Sequence, residues 1–191
     1  MRRLLPLTLI LTGCLAVVAA SLWVMQPQSS GRTSAIGGPF SLIDQNGHVF
    51  NQDAFKNKVA IVFFGYTHCP DVCPTTLYDL TQVLAKLPQD APLTAAFVTV
   101  DPERDTPEVL KDYLSAFDPR ISGLSGPREQ VEAMTKAYRV YAKKVPGRRA
   151  DDYTYDHTAL VYVMDRNGNF SEALNLSRPP EETAKELRSL L

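Results

Sequence analysis

Cysteine is scarce in this chain, and its scarcity limits the kinds of site that the protein can build. The sequence of 191 residues contains three cysteines and three histidines. Cys14 lies in an apolar N-terminal run, which leaves Cys69 and Cys73 for the remainder of the chain. A structural zinc site takes four protein ligands, most often several cysteines. Two cysteines therefore argue against such a site.

The chain also lacks an excess of charge of either sign. Its 20 lysines and arginines are balanced by 21 acidic residues, for a net charge of −1. A nucleic-acid-binding protein usually carries a strongly basic patch. The balanced charge therefore gives no reason to expect nucleic acid as a partner. The length and composition suit one globular domain with an accessory segment.

Acidic residues are missing from the N-terminal part of the chain, since none occurs before Asp44. Arg2 and Arg3 precede residues 4–25, which carry no charge. A helix over these residues would be about 33 Å long, enough for a hydrocarbon core of about 30 Å. The arginines favour the cytoplasmic side. We expect a membrane anchor over residues 1–25.

Two alternatives remain for this segment. Val18-Ala19-Ala20 has the small residues of a signal-peptide cleavage site. Leu11-Thr12-Gly13-Cys14 resembles the sequence at which bacterial lipoproteins are cleaved and acylated on cysteine. In all three cases the rest of the chain is exported. Because the apolar run begins at residue 4, it leaves no room for a mitochondrial transit peptide, so we expect a bacterial inner-membrane protein whose domain faces the periplasm.

The remainder of the chain divides into a linker and a domain. Residues 26–38 are rich in Gln, Ser and Gly, as is typical of a flexible tether. In the domain over residues 39–191, strand patterns alternate with helix patterns. The expected strands are 40–43 and 48–51, joined as a hairpin, followed by 59–64, 93–100, 158–164 and 170–174. The expected helices begin near residues 74, 107, 127 and 180.

This order predicts an α/β fold with a central mixed sheet flanked by helices and an N-terminal hairpin. Residues 121–124 form a further short apolar segment, and residues 143–149 are predicted to be a basic loop. A pair of cysteines at the first junction between a strand and a helix narrows the prediction to a thioredoxin-like fold.

The cysteine pair lies in Gly65–Pro74, directly after an apolar strand and before a helix. A helix N-terminus lowers the pKa of nearby thiols, which makes them better nucleophiles and metal ligands. Thioredoxin separates its cysteines by two residues, whereas three separate these. A peroxiredoxin would have Pro and Thr where Val62 and Tyr66 stand. The pair therefore predicts either thiol exchange or metal binding.

Metal binding would require a third ligand. Soft thiolates suit Cu(I), imidazole suits copper as well, and one histidine would complete a site of two sulfurs and one nitrogen. We expect His68 to point away from its neighbour Cys69 and His48 to be solvated beside the hairpin turn. His157 is predicted on a loop that enters the strand 158–164. From the residues alone, His157 is either a ligand or an ordinary surface histidine.

Three motifs resemble signatures of the Sco/SenC family. They are Phe-Gly-Tyr-Thr-His-Cys-Pro-Asp-Val-Cys-Pro at 64–74, Val-Asp-Pro-Glu-Arg-Asp-Thr-Pro at 100–107 and Asp-His-Thr-Ala at 156–159. The resemblance extends over residues 36–191.

This resemblance implies a thioredoxin-like domain that binds one copper ion, Cu(I) or Cu(II), through Cys69, Cys73 and His157. It implies a metallochaperone that assists assembly of the binuclear copper centre of cytochrome c oxidase. The expected partners are the oxidase subunit that carries this centre and a copper donor or thiol reductant. Asp156 would adjust the properties of its neighbour His157.

Two other functions are compatible with the same residues. A thiol–disulfide oxidoreductase would use Cys69 and Cys73 to reduce the cysteines of the target protein. A redox or copper sensor would use the bound state as a signal. Only copper capture needs His157, so this residue discriminates between capture and thiol exchange. A purely structural disulfide is disfavoured because a short loop constrains little chain.

Four positive charges lie within residues 143–149, at Lys143, Lys144, Arg148 and Arg149. The simplest interpretation is a solvated loop. The functional alternative is a docking surface that attracts an acidic partner towards His157.

Overall fold

The computed structural model describes residues 36–147 and 152–191. The described strands are β1 (Ser41–Asp44), β2 (Val49–Asn51), β3 (Val59–Gly65), β4 (Leu93–Thr99), β5 (Ile121–Ser125), β6 (Ala142–Pro146), β7 (Tyr153–His157), β8 (Val161–Met164) and β9 (Phe170–Ala173). The described α-helices are α1 (Val72–Leu84), α2 (Pro107–Leu114), α3 (Arg128–Ala137) and α4 (Pro180–Leu190).

Seven strands form one mixed sheet, in the order β2-β1-β5-β4-β3-β8-β9. Strands β3, β4 and β5 run parallel to one another. The remaining pairs of neighbours, β3–β8, β8–β9, β1–β5 and β1–β2, are antiparallel. Every residue of β3 is buried, as the continuous apolar run over 59–64 predicts. The predicted thioredoxin-like fold with a central mixed sheet, helices and an N-terminal hairpin is confirmed for the described domain.

The helices pack their apolar sides on this sheet. Helix α2 begins as the sequence predicts, because the Thr106 side chain accepts a hydrogen bond from the Val109 N–H and Pro107 occupies the first position. Its residue Leu110 is fully buried and faces Gly123 of β5. A Cβ atom at Gly123 would lie 3.1 Å from the Leu110 Cβ, so the glycine allows the helix to approach closely.

Three expectations about local structure are wrong. The strand predicted over 158–164 begins only at Val161, as β8. Helix α1 begins at Val72 rather than at Pro74, so Cys73 lies inside the first turn. Residues 142–146 form strand β6 rather than a loop, and they pair with β7 in a separate two-stranded sheet. This exposed hairpin escapes prediction because its strands bury little apolar surface and so lack the strong alternation of a core strand.

The N-terminal predictions fall mostly outside the described residues. This holds for the anchor over residues 1–25 and for most of the tether. At the end of the tether, Gly37 donates its N–H to the carbonyl of Ala137 at 3.0 Å, so these last residues already contact the domain. Among the residues that the structure does describe, no helix has the length and apolar character needed to cross a membrane.

The packing of α2 gives a test of the fold. We expect Leu110→Ala to lower the free energy of unfolding by about 2–5 kcal/mol, because it leaves a cavity against β5. Val109→Ala, on the exposed side of the same helix, should change it by less than about 0.5 kcal/mol. Urea denaturation of both variants measures the difference. Equal losses would contradict the orientation of this helix.

Candidate metal centre

The cysteine segment lies between the end of β3 and the first turn of α1. The Cys69 N–H donates to the carbonyl of Tyr66 at 3.2 Å, which turns the chain after the strand. The Cys73 N–H then points at the Cys69 sulfur, 3.4 Å away. Asp71 precedes the helix without capping it through its side chain, so the Cys69 sulfur occupies the position of a cap. The turn thus brings the two cysteines together at the start of a helix.

Cys73 is fully buried, whereas Cys69 is 8% exposed. Burial raises the pKa of the Cys73 thiol far above its ordinary value, because the apolar surroundings disfavour a thiolate. The lowering expected from the helix N-terminus is therefore wrong for Cys73, since burial outweighs it. Gly65 provides the space for this sulfur, since a Cβ atom there would lie 2.7 Å from it. Burial therefore favours the protonated thiol over the thiolate in the metal-free domain.

His157 lies at the end of β7, opposite Ala142 of β6. Its Nε2 atom is 3.5 Å from the Cys73 sulfur, although 84 residues separate the two in sequence. Its Nδ1 atom is 3.0 Å from the carbonyl oxygen of Thr158. A carbonyl only accepts hydrogen bonds, so Nδ1 carries the proton and Nε2 presents its lone pair to the sulfur. Burial also lowers the pKa of His157, which favours this neutral, ligating form.

These three residues form one compact group. The sulfurs of Cys69 and Cys73 and a ring nitrogen of His157 all lie within 4.8 Å of one another. Two thiols and one imidazole are the donors that copper prefers, and a three-ligand set is too small for an ordinary structural zinc site. The group is thus suited to hold a single soft metal ion.

The other two histidines stay outside this group, as expected. The His48 side chain is 78% exposed and lies beside Asp44. His68 is exposed, and its Nδ1 atom lies 3.1 Å from the hydroxyl of Thr67. Of the three candidates, His157 alone approaches the thiols. It lies at the end of a strand, however, and not on the loop that the sequence predicts.

As expected, Asp156 influences His157, but other contacts of His157 have larger effects. Asp156 is exposed and contributes only a secondary, charge-based influence on the pKa of His157. The carbonyl of Thr158 orients the ring instead. The Tyr66 ring meets His157 edge-on, with 5.8 Å between centroids, and its hydroxyl lies 2.5 Å from the Thr154 hydroxyl. Sequence reasoning missed Tyr66, although it stands three residues before Cys69 inside the quoted motif.

The basic residues of the predicted docking surface differ in the contacts that they make. Lys143 is exposed. Lys144 forms an ion pair with Glu103 at 2.8 Å and lies 3.6 Å from the centroid of the Tyr153 ring. Arg148 and Arg149 lie outside the described residues. Part of the positive charge is therefore committed to contacts within the domain.

The fold and the site together define a thioredoxin-like domain with a Cys-Cys-His group. The family model for SCO1/SenC matches residues 28–191, so the chain belongs to the SCO1/SenC family. It is 39% identical over 155 residues to a SCO2-like protein of Rickettsia felis, a match that covers 80% of this chain and 76% of that protein. The family resemblance of the sequence motifs is confirmed.

Solved structures resemble the fold closely. Bradyrhizobium japonicum ScoI with copper bound gives a TM-score of 0.79 at 53% identity, covering 82% of this chain and 99% of that one. Yeast Sco1 with copper bound gives a TM-score of 0.74 at 38% identity, covering 81% and 87%.

The buried Cys73 thiol should make the stability of the folded domain depend on pH. The folded state holds the Cys73 proton more tightly than the unfolded state, so its contribution to stability is complete below the ordinary pKa of 9.0 and is lost as the pH rises further. Between pH 7 and pH 10, the free energy of unfolding of the reduced, metal-free chain should fall by about 1.4 kcal/mol more than that of Cys73→Ser. Urea denaturation between pH 7 and pH 10 measures this, and parallel pH curves for the two proteins would contradict it.

Proposed function

We propose that this chain is a copper metallochaperone that holds one copper ion, as Cu(I) or Cu(II), through Cys69, Cys73 and His157. Its task is to assist assembly of the binuclear copper centre of cytochrome c oxidase. The observation that carries the proposal is the approach of the three donor atoms to within 4.8 Å, with His157 Nε2 turned towards the Cys73 sulfur. The copper bound in related Sco structures supports it.

Copper is the cargo in this proposal, and the chemistry of the donors suits its temporary storage. Thiolate sulfur binds Cu(I) strongly, and imidazole nitrogen is a good ligand in either oxidation state. Binding requires both thiols to release their protons. Burial of Cys73 makes this release costly, so a weakly bound cation does not displace the proton. Transfer to a partner proceeds from the side of the half-buried His157 and the slightly exposed Cys69.

The partner is the oxidase subunit that carries the copper centre, with a separate protein supplying copper or reducing the thiols. Lys143 lies in the strand paired with the one that carries His157 and is the exposed lysine available to attract an acidic partner. Residues 1–25 anchor the protein in the bacterial inner membrane, and residues 26–38 tether the domain (39–191) in the periplasm. This assignment rests on the uncharged run over residues 4–25, with acylation at Cys14 or cleavage as the alternatives.

A second function is favoured by the approach of the two sulfurs at the start of α1. As a dithiol, Cys69 and Cys73 would pass two electrons and two protons to a disulfide of the target and become a disulfide themselves. This reaction has no need of His157, so the two functions separate experimentally at that residue. A sensor that signals by its bound state would share the site but not the transfer.

Copper titration of the reduced chain tests the proposal, with Cys14→Ser as the parent so that two thiols remain. We expect one copper per chain and a sulfur-to-Cu(II) charge-transfer absorption. Cys69→Ser, Cys73→Ser and His157→Ala should each weaken binding by more than about 100-fold, since even the outer partners of ligands cost 10–100-fold. His68→Ala is the matched control and should bind like the parent.

Two outcomes contradict this account. Copper binding by His157→Ala as tight as in the parent excludes the three-ligand site. A chain that binds no copper while its disulfide exchanges readily is an oxidoreductase.

A further inference from the structure

Tyr66 ties the cysteine segment to the β6–β7 hairpin directly, through its hydroxyl and that of Thr154. A second connection between the same two segments runs through the loop that follows β4. We infer that residues 101–105, here called the bracket loop, hold both segments through direct contacts and set the distance between the Cys73 sulfur and His157. The inference rests on the proposed function, because it concerns the geometry of the same site. It assigns positioning roles to Asp105 and Arg104, which touch none of the three ligands.

Sheet topology places the bracket loop beside the cysteine segment. Strands β3 and β4 are parallel, and Gly65 at the end of β3 stands opposite Thr99 at the end of β4. The carboxyl ends of parallel strands meet at one edge of a sheet, so the two connections leave it side by side. The Val100 N–H donates to the Gly65 carbonyl at 2.8 Å and holds these starting points together.

Asp105 holds the cysteine segment through hydrogen bonds from Thr67. Its side chain is fully buried and accepts hydrogen bonds from the Thr67 N–H at 3.0 Å and from the Thr67 hydroxyl at 2.6 Å. The Thr99 hydroxyl donates a third bond at 2.6 Å. A buried carboxylate is costly without such partners, so these bonds hold Thr67 firmly in place. Thr67 precedes Cys69 by two residues.

Arg104 holds the hairpin through a hydrogen bond and a cation–π contact with Tyr153. Its Nη1 atom donates to the Tyr153 carbonyl at 3.2 Å, and its guanidinium lies 3.7 Å from the centroid of the Tyr153 ring. Its Nε atom pairs with the buried Asp101, whose carboxylate also accepts a bond from the Tyr153 hydroxyl at 3.0 Å. Tyr153 begins β7, and His157 ends the same strand four residues later.

The bracket loop is itself a tight turn, so it links the contacts of Asp105 with Thr67 to the contacts of Arg104 with Tyr153. The N–H groups of Arg104 and Asp105 both donate to the Asp101 carbonyl, at 3.2 and 3.0 Å. The hairpin is also one unit, because the β6–β7 ladder runs from the pair Pro146–Tyr153 to the pair Ala142–His157. A change at Arg104 is therefore transmitted along β7 to His157, and a change at Asp105 is transmitted through Thr67 to the cysteines.

A double-mutant cycle tests this assignment, with the Cys14→Ser chain as parent and a chromophoric Cu(I) chelator as competitor. Arg104→Lys keeps the charge but loses the planar fork and the stacking. We expect it to weaken Cu(I) binding about tenfold in the parent, the size typical of residues that orient a ligand, and by less than about twofold when His157→Ala is already present. Asp105→Asn should also lose part of its effect when His157 is replaced, because it changes the same distance from the side of the cysteines.

Arg120→Lys is the matched control. Arg120 also pairs with a nearby aspartate, Asp118 at 2.7 Å, and its side chain is 16% exposed against 21% for Arg104. Its remaining contact is with the Pro88 carbonyl, away from both ligand segments. This variant should bind copper like the parent. If Arg104→Lys fails to fold, Tyr153→Phe, which removes the bond to Asp101, should show the same pattern with a smaller factor.

Hydrogen exchange of the copper-free chain provides an independent measurement. In Arg104→Lys, the amides of residues 153–157 should exchange faster, while those of residues 59–65 keep their protection. The inference is overturned if Arg104→Lys weakens copper binding by the same factor with and without His157, or if neither binding nor exchange changes. If instead His157→Ala alone binds like the parent, the proposed ligand set fails, and the exchange of residues 153–157 still decides whether Arg104 holds the hairpin.

Discussion

The site depends on one contact, the 3.5 Å approach of His157 Nε2 to the buried sulfur of Cys73. Two cysteines on a turn are common to thiol exchange and to metal binding, and the third donor decides between them. That donor arrives from the end of a strand in a separate hairpin, so the main sheet, the hairpin and their contacts must all be correct for the group to form. The carbonyl of Thr158 then selects the ring tautomer that leaves Nε2 available.

Burial gives this group its chemical character. Apolar surroundings raise the pKa of the Cys73 thiol and lower that of the His157 imidazole, so burial favours the neutral form of both groups. Binding of a cation with release of thiol protons is therefore strongly coupled to pH. Gly65 contributes to the same design, because a larger residue there would occupy the space of the Cys73 sulfur.

Much of this arrangement could be predicted from the sequence. The buried run over 59–64, the helix start near residue 107 and the hairpin over residues 40–51 carry local signals. The cysteine spacing and the family resemblance single out Cys69, Cys73 and His157, which the fold brings together. The β6–β7 hairpin could not be predicted, because its strands lack a core-strand pattern and Tyr153 contacts Arg104 and Asp101 of a loop distant in sequence. The orienting role of the Thr158 carbonyl was equally hidden, since every residue has a carbonyl and only the fold selects this one.

The central claim is that one copper ion is held by two sulfurs and one histidine nitrogen. X-ray absorption spectroscopy at the copper edge, on the chain loaded with one equivalent, tests it most directly. The account predicts two sulfur scatterers and one nitrogen scatterer with the outer-shell pattern of an imidazole ring, which disappears in His157→Ala. A spectrum with sulfur alone, or one unchanged by His157→Ala, would contradict it.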